Sequence, residues 1–376
     1  MKKIIFKILT KTEQYLPKNK KILFHSFPDY SDNSYAIFKN MLTNKIQINN
    51  LIWLYDKDIN LHEKIFNEFG LKIKCYKKNS LKGIWSFFRS RKVFSTHGIF
   101  SLIETKNKKI NLWHGMPLKN IGFMDKESKA ATTCDYIIAT SNIFKELMAK
   151  SFNKEYEKVF LTGQPRNDLL FEKTKFYEKM GINDNSYNKK IIYLPTYRKS
   201  IIGDIRNDGE YNQDKLGIIK IDRLNELNEN LSKNNNLMLI KLHPMDILQE
   251  VKFQDLSNII ILKTEDLKKV DEQLYPLLGS TDLLITDYSS VWVDYEILGK
   301  PIYFAMDDYE KYKSNRGFTI ENLPKFLPGD IIQDFEELLK KLDNIPEKIQ
   351  KDTGNIFNKY KDNKSSERVL KALGIV

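Results

Sequence analysis

Short apolar runs alternate with amphipathic stretches along the chain. Each run is short, rich in β-branched or aromatic side chains and bounded by turn residues, which is typical of buried strands. In the first half the predicted strands are Lys21–Phe24, Leu51–Tyr55, Val93–Thr96, Ile110–Trp113, Tyr136–Thr140 and Val159–Thr162. Helices are predicted between them, for example at Tyr35–Asn44, Leu61–Phe69 and Asn142–Phe152. This alternation predicts a parallel sheet covered on both faces.

The pattern restarts after a polar stretch near Lys173–Lys189. The second set of predicted strands is Ile191–Leu194, Leu237–Lys241, Ile259–Leu262, Leu283–Thr286 and Ile302–Phe304, and the charged tail after Asp334 is predicted to be helical. A chain of 376 residues suits two domains. We therefore predict an α/β protein with two Rossmann-like domains, residues 1–172 and 173–376, whose parallel sheets face a central cleft.

Charge and cysteine content narrow the functional classes. Lys and Arg number 61 and Asp and Glu 49, which gives a net charge of +12. This excess suits binding of a phosphorylated substrate, an anionic lipid or nucleic acid. The alternative is a solvated, lysine-rich surface without a binding role. The basic residues are scattered, so no nucleic-acid partner is expected. Two cysteines, Cys75 and Cys134, form no ligand cluster, which favours a reducing, cytoplasmic setting. No apolar run is long enough for a transmembrane helix.

His114 and His243 follow predicted strands, where open α/β sheets bind ligands. His114 comes directly after Ile110–Trp113 and is followed by Gly115 and Pro117, residues that suit a tight turn. His243 follows Leu237–Lys241 in the same way. A histidine at such a turn can act as a general base near neutral pH, or it can be a loop residue bonded to backbone groups. The pattern alone leaves both interpretations open.

Candidate phosphate ligands also follow strands in the second half. Arg198 comes shortly after Ile191–Leu194. Its guanidinium can donate bidentate hydrogen bonds to phosphate oxygens, or it can form a surface ion pair. Ser289 and Ser290 precede a predicted helix, whose free backbone N–H groups bind phosphate. Simple N-capping by serine is compatible with that role.

Taken together, eight blocks resemble the CDP-glycerol:poly(glycerophosphate) glycerophosphotransferase family of teichoic acid and capsule synthesis. They occur in the family's order over roughly residues 22 to 330. The blocks are Phe27–Asn33 (FPDYSDN), Trp113–Lys119 (WHGMPLK), Gly163–Asp168 (GQPRND), Leu194–Arg198 (LPTYR), Lys241–Pro244 (KLHP), Thr286–Ser290 (TDYSS), Leu298–Pro301 (LGKP) and Arg316–Phe318 (RGF). Met116 and Tyr197 stand where the family often has Thr and Trp.

The resemblance implies a GT-B-like fold and a metal-independent transfer without a cofactor. The family's two critical histidines fall on His114 and His243. Residues implied on the donor and phosphate side are Arg198, Thr196, Asp287, Ser289, Ser290, Arg316 and Gly317. Residues implied on the acceptor side are Gly115, Pro117, Lys119 and Asp29. The C-terminal domain is expected to hold the CDP donor, and the N-terminal domain the acceptor.

The expected reaction moves glycerol phosphate from CDP-glycerol to a hydroxyl of a lipid-linked cell-envelope glycan and releases CMP. One alternative is a CDP-ribitol donor, and a second is a GT-B glycosyltransferase that uses a UDP-sugar. A third, from another class, is a non-enzymatic module that binds a membrane surface or nucleic acid through its positive charge.

The lipid-linked acceptor implies a peripheral position at the cytoplasmic face of the membrane. Candidate contacts are the basic and apolar N-terminal segment and Ser80–Lys92, where Trp85, Phe87 and Phe88 lie among cations. The N-terminal segment lacks the cleavage site of a signal peptide. Ordinary helices that pack their apolar side chains on the core are the alternative for both segments.

Overall fold

The computed structural model describes residues 8–100, 105–125, 133–196, 214–243, 246, 248 and 251–376, without the side chains of Gln14 and Arg316. They form two compact units. Unit 1 comprises Met1–Met116, Ile121–Leu169 and Asn355–Val376, and unit 2 comprises Pro117–Asn120 and Leu170–Gly354. The chain therefore passes between the units after Met116, Asn120, Leu169 and Gly354, and its last 22 residues belong to unit 1.

Parallel strands supply the framework of both units. The strands are β1 Ile22–His25, β2 Leu51–Tyr55, β3 Lys74–Lys77, β4 Lys92–Ser95, β5 Lys108–Asn111, β6 Tyr136–Ala139, β7 Val159–Leu161, β8 Lys189–Leu194, β9 Lys215–Leu216, β10 Ile219–Lys220, β11 Asn236–Lys241, β12 Ile259–Leu262, β13 Leu283–Thr286, β14 Ile302–Ala305 and β15 Asp330–Ile332. Each predicted strand is present, with ends displaced by at most two residues.

Helices connect the strands. They are α1 Asp32–Thr43, α2 Leu61–Phe69, α3 Leu81–Arg89, α4 Asn142–Phe152, α5 Phe176–Lys179, α6 Leu224–Lys233, α7 Thr264–Lys269, α8 Leu274–Gly279, α9 Val291–Tyr295, α10 Tyr309–Arg316, α11 Phe335–Leu342 and α12 Ser365–Ala372. None of the helices in the described ranges has the length and apolarity needed to cross a bilayer.

In unit 1, the described strands form one parallel sheet in the order β3-β2-β1-β4-β5-β6-β7. All four side chains of β1 are buried, as expected for a central strand covered on both faces. β3 was not predicted from the sequence. Its two lysines, Lys74 and Lys77, are exposed at the edge of the sheet. A charged edge strand of this kind lacks the continuous apolar run by which buried strands are predicted.

In unit 2, the described strands of the main sheet run in parallel in the order β12-β11-β8-β13-β14-β15, and β9 and β10 pair as a small antiparallel ribbon. β8, β11 and β13 lie at the centre and contribute Ile191, Met238 and Ile285 to one buried core. Their carboxyl ends therefore meet at one edge, where the predicted donor-side residues follow them.

The charged tail is only partly helical, which corrects the prediction of a helix after Asp334. α11 begins at its N-cap Asp334, whose carboxylate accepts the Glu337 backbone N–H at 2.8 Å. The chain then runs without helix through Pro346 and through Gly354, which has a φ of +57°, before α12 begins. Proline and a left-handed glycine both interrupt helices.

Both candidate membrane segments contribute side chains to the core of unit 1. Phe87 and Phe88 on α3 are fully buried, whereas Trp85 is 48% exposed, with the Arg89 guanidinium 5.6 Å from its ring centre. Leu9 packs against the same core, whereas Ile8 is 54% exposed. The other apolar residues of the N-terminal segment, Ile4 to Phe6, lie outside the described residues.

Candidate functional site

Three histidines of unit 1 lie at the carboxyl edge of its sheet. His25 ends β1, His97 follows β4 by two residues, and His114 follows β5 by three. β1, β4 and β5 are neighbours in the sheet, so their carboxyl ends are adjacent. The position of His114 at a strand end agrees with the prediction, and His97 is an addition that the sequence analysis missed.

A tight turn carries the chain from β5 to His114. The Asn111 side chain accepts the Trp113 backbone N–H at 2.9 Å, and Trp113 adopts a φ of +48°. This turn ends β5 at Asn111, two residues before the predicted end. Gly115 follows with a φ of +144°. A tryptophan in the left-handed region costs about 1–3 kcal/mol and persists only where its surroundings hold it.

The His114 ring contacts two aromatic neighbours. His97 lies parallel to it, with ring centres 4.0 Å apart and an angle of 4° between the planes. The Trp113 ring centre is 4.1 Å from that of His114. His97 is itself oriented by Thr96, whose Oγ1 lies 3.0 Å from His97 Nδ1. The stack fixes the plane of the His114 ring.

Arg166 and Asn33 hold the backbone around His114. Arg166 Nη1 donates to the His114 carbonyl at 3.0 Å and to Asp32 Oδ1 at 3.0 Å. Asn33 is fully buried; its Oδ1 accepts the Arg166 N–H at 2.9 Å, and its Nδ2 donates to the Trp113 carbonyl at 3.0 Å. These bonds compensate for the unfavourable Trp113 backbone conformation.

The surroundings of His114 favour its neutral form. Desolvation, followed by the charges of His97 and Arg166, lowers the pKa of His114 well below its usual value, against an opposing hydrogen bond to the Thr96 backbone. His114 as a whole residue is nevertheless exposed to solvent, which limits the size of the desolvation effect. The pKa of His97 is lowered as well, first by desolvation. At neutral pH, His114 therefore has a free lone pair and can accept a proton.

Asp29, implied on the acceptor side, caps the loop after β2. Its Oδ1 accepts the Asp56 N–H at 2.8 Å, and its Oδ2 accepts those of Lys57 at 2.6 Å and Asp58 at 3.0 Å. Asp56 in turn lies 3.1 Å from His25 Nε2. Because both carboxylate oxygens of Asp29 are bonded to backbone, Asp29 shapes this edge of the sheet through the loop.

In unit 2, His243 follows β11 beside two cations. Desolvation, followed by the charges of Lys241 and Lys119, lowers the pKa of His243 to about 4. Lys241 is only 8% exposed, and burial lowers its pKa to about 8. His243 is therefore neutral at physiological pH and can donate or accept one hydrogen bond without carrying charge.

The segment Pro117–Asn120 packs against the Arg316–Phe318 block within unit 2. The Thr319 N–H donates to the Leu118 carbonyl at 3.0 Å, and Lys119 pairs with Phe318 in an antiparallel bridge. The Lys119 ammonium lies 4.9 Å from the centre of the Tyr312 ring. The predicted acceptor-side residues Pro117 and Lys119 thus lie beside the predicted donor-side Gly317, whereas His114 and Gly115 belong to unit 1.

Thr196 and Asp287 join the carboxyl ends of β8 and β13. The buried Asp287 carboxylate accepts both the backbone N–H of Thr196, at 3.0 Å, and its hydroxyl, at 2.8 Å. It also accepts the Tyr288 N–H at 2.7 Å. A carboxylate repels phosphate, so Asp287 is suited to holding the strand ends rather than to contacting the donor.

The two serines lie at the start of α9. Ser289 Oγ accepts the Val291 N–H at 3.4 Å, and Ser290 is the N-cap residue, without a capping bond from its own side chain. Gly317 ends α10 with a φ of +65°. Arg198 and the side chain of Arg316 lie outside the described residues. No group of three or more His, Cys, Asp or Glu within the described ranges is arranged to hold a metal ion.

Comparison with known proteins identifies relatives over almost the whole chain. The profile of the family described as CDP-Glycerol:Poly(glycerophosphate) glycerophosphotransferase matches residues 8–374. A teichoic acid poly(glycerol phosphate) polymerase of Bacillus spizizenii is 28% identical, over 89% of this chain and 86% of its own. The teichoic acid ribitol-phosphate polymerase TarL of Staphylococcus aureus is 28% identical, over 99% of this chain and 66% of its own.

Among solved structures, the wall teichoic acid polymerase TagF, in a variant soaked with CDPG, is similar with a TM-score of 0.76 and 25% identity. The match covers 100% of this chain and 92% of that one. Together with the two parallel sheets, it confirms the predicted GT-B-like class of fold.

Proposed function

Because the chain belongs to the CDP-glycerol:poly(glycerophosphate) glycerophosphotransferase family, we propose that it transfers glycerol phosphate from CDP-glycerol to a hydroxyl of a lipid-linked cell-envelope glycan. Family membership makes the chain a polyol-phosphate transferase. The observation that carries the specific proposal is the family match over residues 8–374, together with a neutral, oriented His114 at a strand end.

The proposed reaction is a displacement at phosphorus. The acceptor oxygen attacks the β-phosphorus of CDP-glycerol, and a new phosphorus–oxygen bond forms. The bond between that phosphorus and the bridging oxygen breaks, and CMP leaves with the electron pair. Positioning and stabilisation of charge account for most of the catalysis in reactions of this type.

His114 is the proposed general base. Its lowered pKa keeps the ring neutral at pH 7, and its contact with solvent leaves it accessible to a hydroxyl. The parallel His97 ring and the Arg166 bond to the His114 carbonyl hold it in one orientation. A positioned base of this kind contributes about 10²–10⁴-fold in rate.

Unit 2 supplies the proposed donor-phosphate site. Neutral His243 offers a hydrogen bond, and Ser289 and Ser290 offer hydroxyls at the start of α9. Lys119 and Lys241 add positive charge near His243. We assign Arg198 and Arg316 to the same phosphates on the family pattern. Asp287 keeps Thr196 in place through its two hydrogen bonds.

The domain roles follow from these assignments. Residues 1–172 are proposed to receive the acceptor, because His114 and the Asp29 loop lie in unit 1. Residues 173–376 are proposed to bind CDP, because the serines and His243 follow strands of unit 2.

Ribitol phosphate is the alternative cargo. The chain is 28% identical both to a glycerol-phosphate polymerase and to TarL, a ribitol-phosphate polymerase. The two CDP donors share the nucleotide and both phosphates and differ in the length of the polyol. The product, a wall polymer or a capsule, depends on the acceptor.

A peripheral position at the cytoplasmic face of the membrane follows from a lipid-linked acceptor. Trp85 and Leu81 on α3 are each 48% exposed, and Ile8 is 54% exposed. Apolar side chains beside cations such as Arg89 suit the headgroup interface.

The proposal is tested by incubating the protein with an extracted lipid-linked acceptor and, in parallel, CDP-glycerol, CDP-ribitol or a UDP-sugar. CMP release from CDP-glycerol is expected, with a loss of about 10²–10⁴-fold in His114→Ala. The matched control is His62→Ala, since the His62 side chain is 60% exposed on α2 and should keep full activity. CMP from CDP-ribitol alone would reassign the donor, and release of UDP would refute the reaction class.

A further inference from the structure

Cations converge at the opposite edge of the unit 1 sheet from the histidines. The amino ends of β1, β4 and β5 are adjacent, because these parallel strands are neighbours. Six basic residues precede or begin these strands: Lys18, Lys20, Arg91, Lys92, Lys106 and Lys108. The same three strands therefore carry histidines at their carboxyl ends and cations at their amino ends.

These six cations line one cavity of about 520 Å³, and none of the described residues that line it carries a carboxylate. The volume accommodates a phosphodiester with its two flanking polyols. A solvated basic surface would distribute its charges to reduce their repulsion, whereas these side chains surround a single concave space. We call this space the basic cavity.

Part of the positive charge is already balanced. Lys18 pairs with Glu13, and the Lys108 ammonium lies 3.9 Å from Asp135 Oδ1. By contrast, no carboxylate in the described part of the chain pairs with Lys20, Arg91 or Lys92. Burial, followed by the neighbouring charge of Arg91, lowers the pKa of Lys92. A bound anion would relieve this unfavourable concentration of like charge.

The backbone around the basic cavity is fixed by the sheet. Asn19 N donates to the Arg89 carbonyl at 2.9 Å, Arg91 N to the Lys21 carbonyl at 2.9 Å, and Lys108 N to the Arg91 carbonyl at 2.8 Å. The segments that carry the cations are therefore held at fixed spacing before any ligand arrives. Such preorganisation lowers the entropic cost of binding.

The basic cavity is separate from the histidine edge. β4 runs from Lys92 to Ser95, so its two ends lie about 10 Å apart at the rise of a parallel strand. An anion held by Arg91 and Lys92 would therefore not contact His97 or His114.

We propose that the basic cavity is a second anion site, which binds a phosphodiester flanked by polyols. The same group occurs as the repeat of a glycerol-phosphate polymer and as the headgroup of phosphatidylglycerol. The Arg91 guanidinium donates bidentate hydrogen bonds to the non-bridging phosphate oxygens, and the Lys20 and Lys92 ammonium groups add positive charge.

The test measures binding without a CDP donor, so its result is independent of catalysis. One arm titrates glycerophosphoglycerol, a phosphodiester without acyl chains. The other arm sediments phosphatidylcholine vesicles prepared with and without phosphatidylglycerol. In the double variant Arg91→Gln/Lys92→Gln, we expect the dissociation constant for at least one of these probes to rise about tenfold.

The matched control is Lys72→Gln/Lys74→Gln, which removes the same charge beside the amino end of β3, outside the cavity. The control should bind as the wild type does, and unchanged melting temperatures verify folding of both variants. If Arg91→Gln/Lys92→Gln loses glycerophosphoglycerol binding, the cavity recognises the phosphodiester without acyl chains. If it loses only vesicle binding, the phosphodiester that the cavity binds is a lipid headgroup. Equal losses in both double variants, or no wild-type binding to either probe, would overturn the proposal.

Discussion

At the scale of single residues, His97 controls the electrostatic environment of His114. The two rings lie 4.0 Å apart and parallel, so a proton on one ring disfavours a proton on the other. His97 also shields one face of the His114 ring from water. Desolvation and the charge of His97 both lower the pKa of His114, and the His97 side chain contributes to both.

We predict that His97→Asn moves the acid limb of the pH profile of kcat/KM to higher pH. His114 works as a neutral base, so activity rises as pH passes upward through its pKa. Removing the neighbouring ring raises that pKa, and the rise in activity then begins at higher pH. The measurement is CMP release from CDP-glycerol between pH 4 and pH 8.

His62→Asn is the control for this profile, because His62 is exposed on α2. An unchanged acid limb in His97→Asn would show that His97 has only a packing role. A lower maximum of kcat/KM with an unshifted acid limb would indicate that the His97 ring positions His114 and does not set its pKa.

The sequence identified His114 but not His97, although both follow strands. Gly115 and Pro117 mark the turn after His114. His97 directly follows the predicted strand Val93–Thr96, so its position at a strand end is the signal in the sequence that indicates it. The Arg166 bond to His114 joins residues 52 apart, and no local pattern contains such a contact.

At the scale of elements, Asn33 ties α1 to the loops after β5 and β7. Its amide donates to the carbonyls of Leu112 and Trp113 and accepts the Arg166 N–H. All three partners belong to loops that form the candidate site. The sequence predicted α1 to begin at Tyr35, so it placed Asn33 in a loop and gave no sign of this role.

We predict that Asn33→Ala lowers the free energy of unfolding by about 3 kcal/mol, because it leaves buried backbone groups without partners. Urea unfolding of the purified protein measures the change. Asn44→Ala is the matched control, since Asn44 is an exposed amide just after the end of α1 and should change stability little. A decrease in the free energy of unfolding of less than about 0.5 kcal/mol in Asn33→Ala would show that the hydrogen bonds of Asn33 do not stabilise these loops.

At the scale of the whole molecule, the chain ends in the unit where it begins. Thr140 Oγ1 donates to the Phe357 carbonyl at 2.6 Å, and Asp168 accepts the backbone N–H groups of Ser365 and Ser366, each at 2.8 Å. α12 also packs on α1. The alternating periodicity of the sequence predicted the two sheets. The polar C-terminal tail has no such pattern, so the sequence did not predict that it packs on unit 1.

A chain that ends at Gly354 should therefore lose stability in unit 1 alone. Without Asn355–Val376, Asp168 is a buried carboxylate without its two backbone donors, and such a group is costly. Hydrogen exchange should show faster exchange in β6, β7 and α4, with β13 and β14 unchanged. The variant Asp168→Asn, which keeps the tail but leaves one acceptor oxygen for the two N–H groups, should show a smaller effect in the same strands. Equal acceleration in the two units would mean that their folding is coupled and that the tail stabilises both.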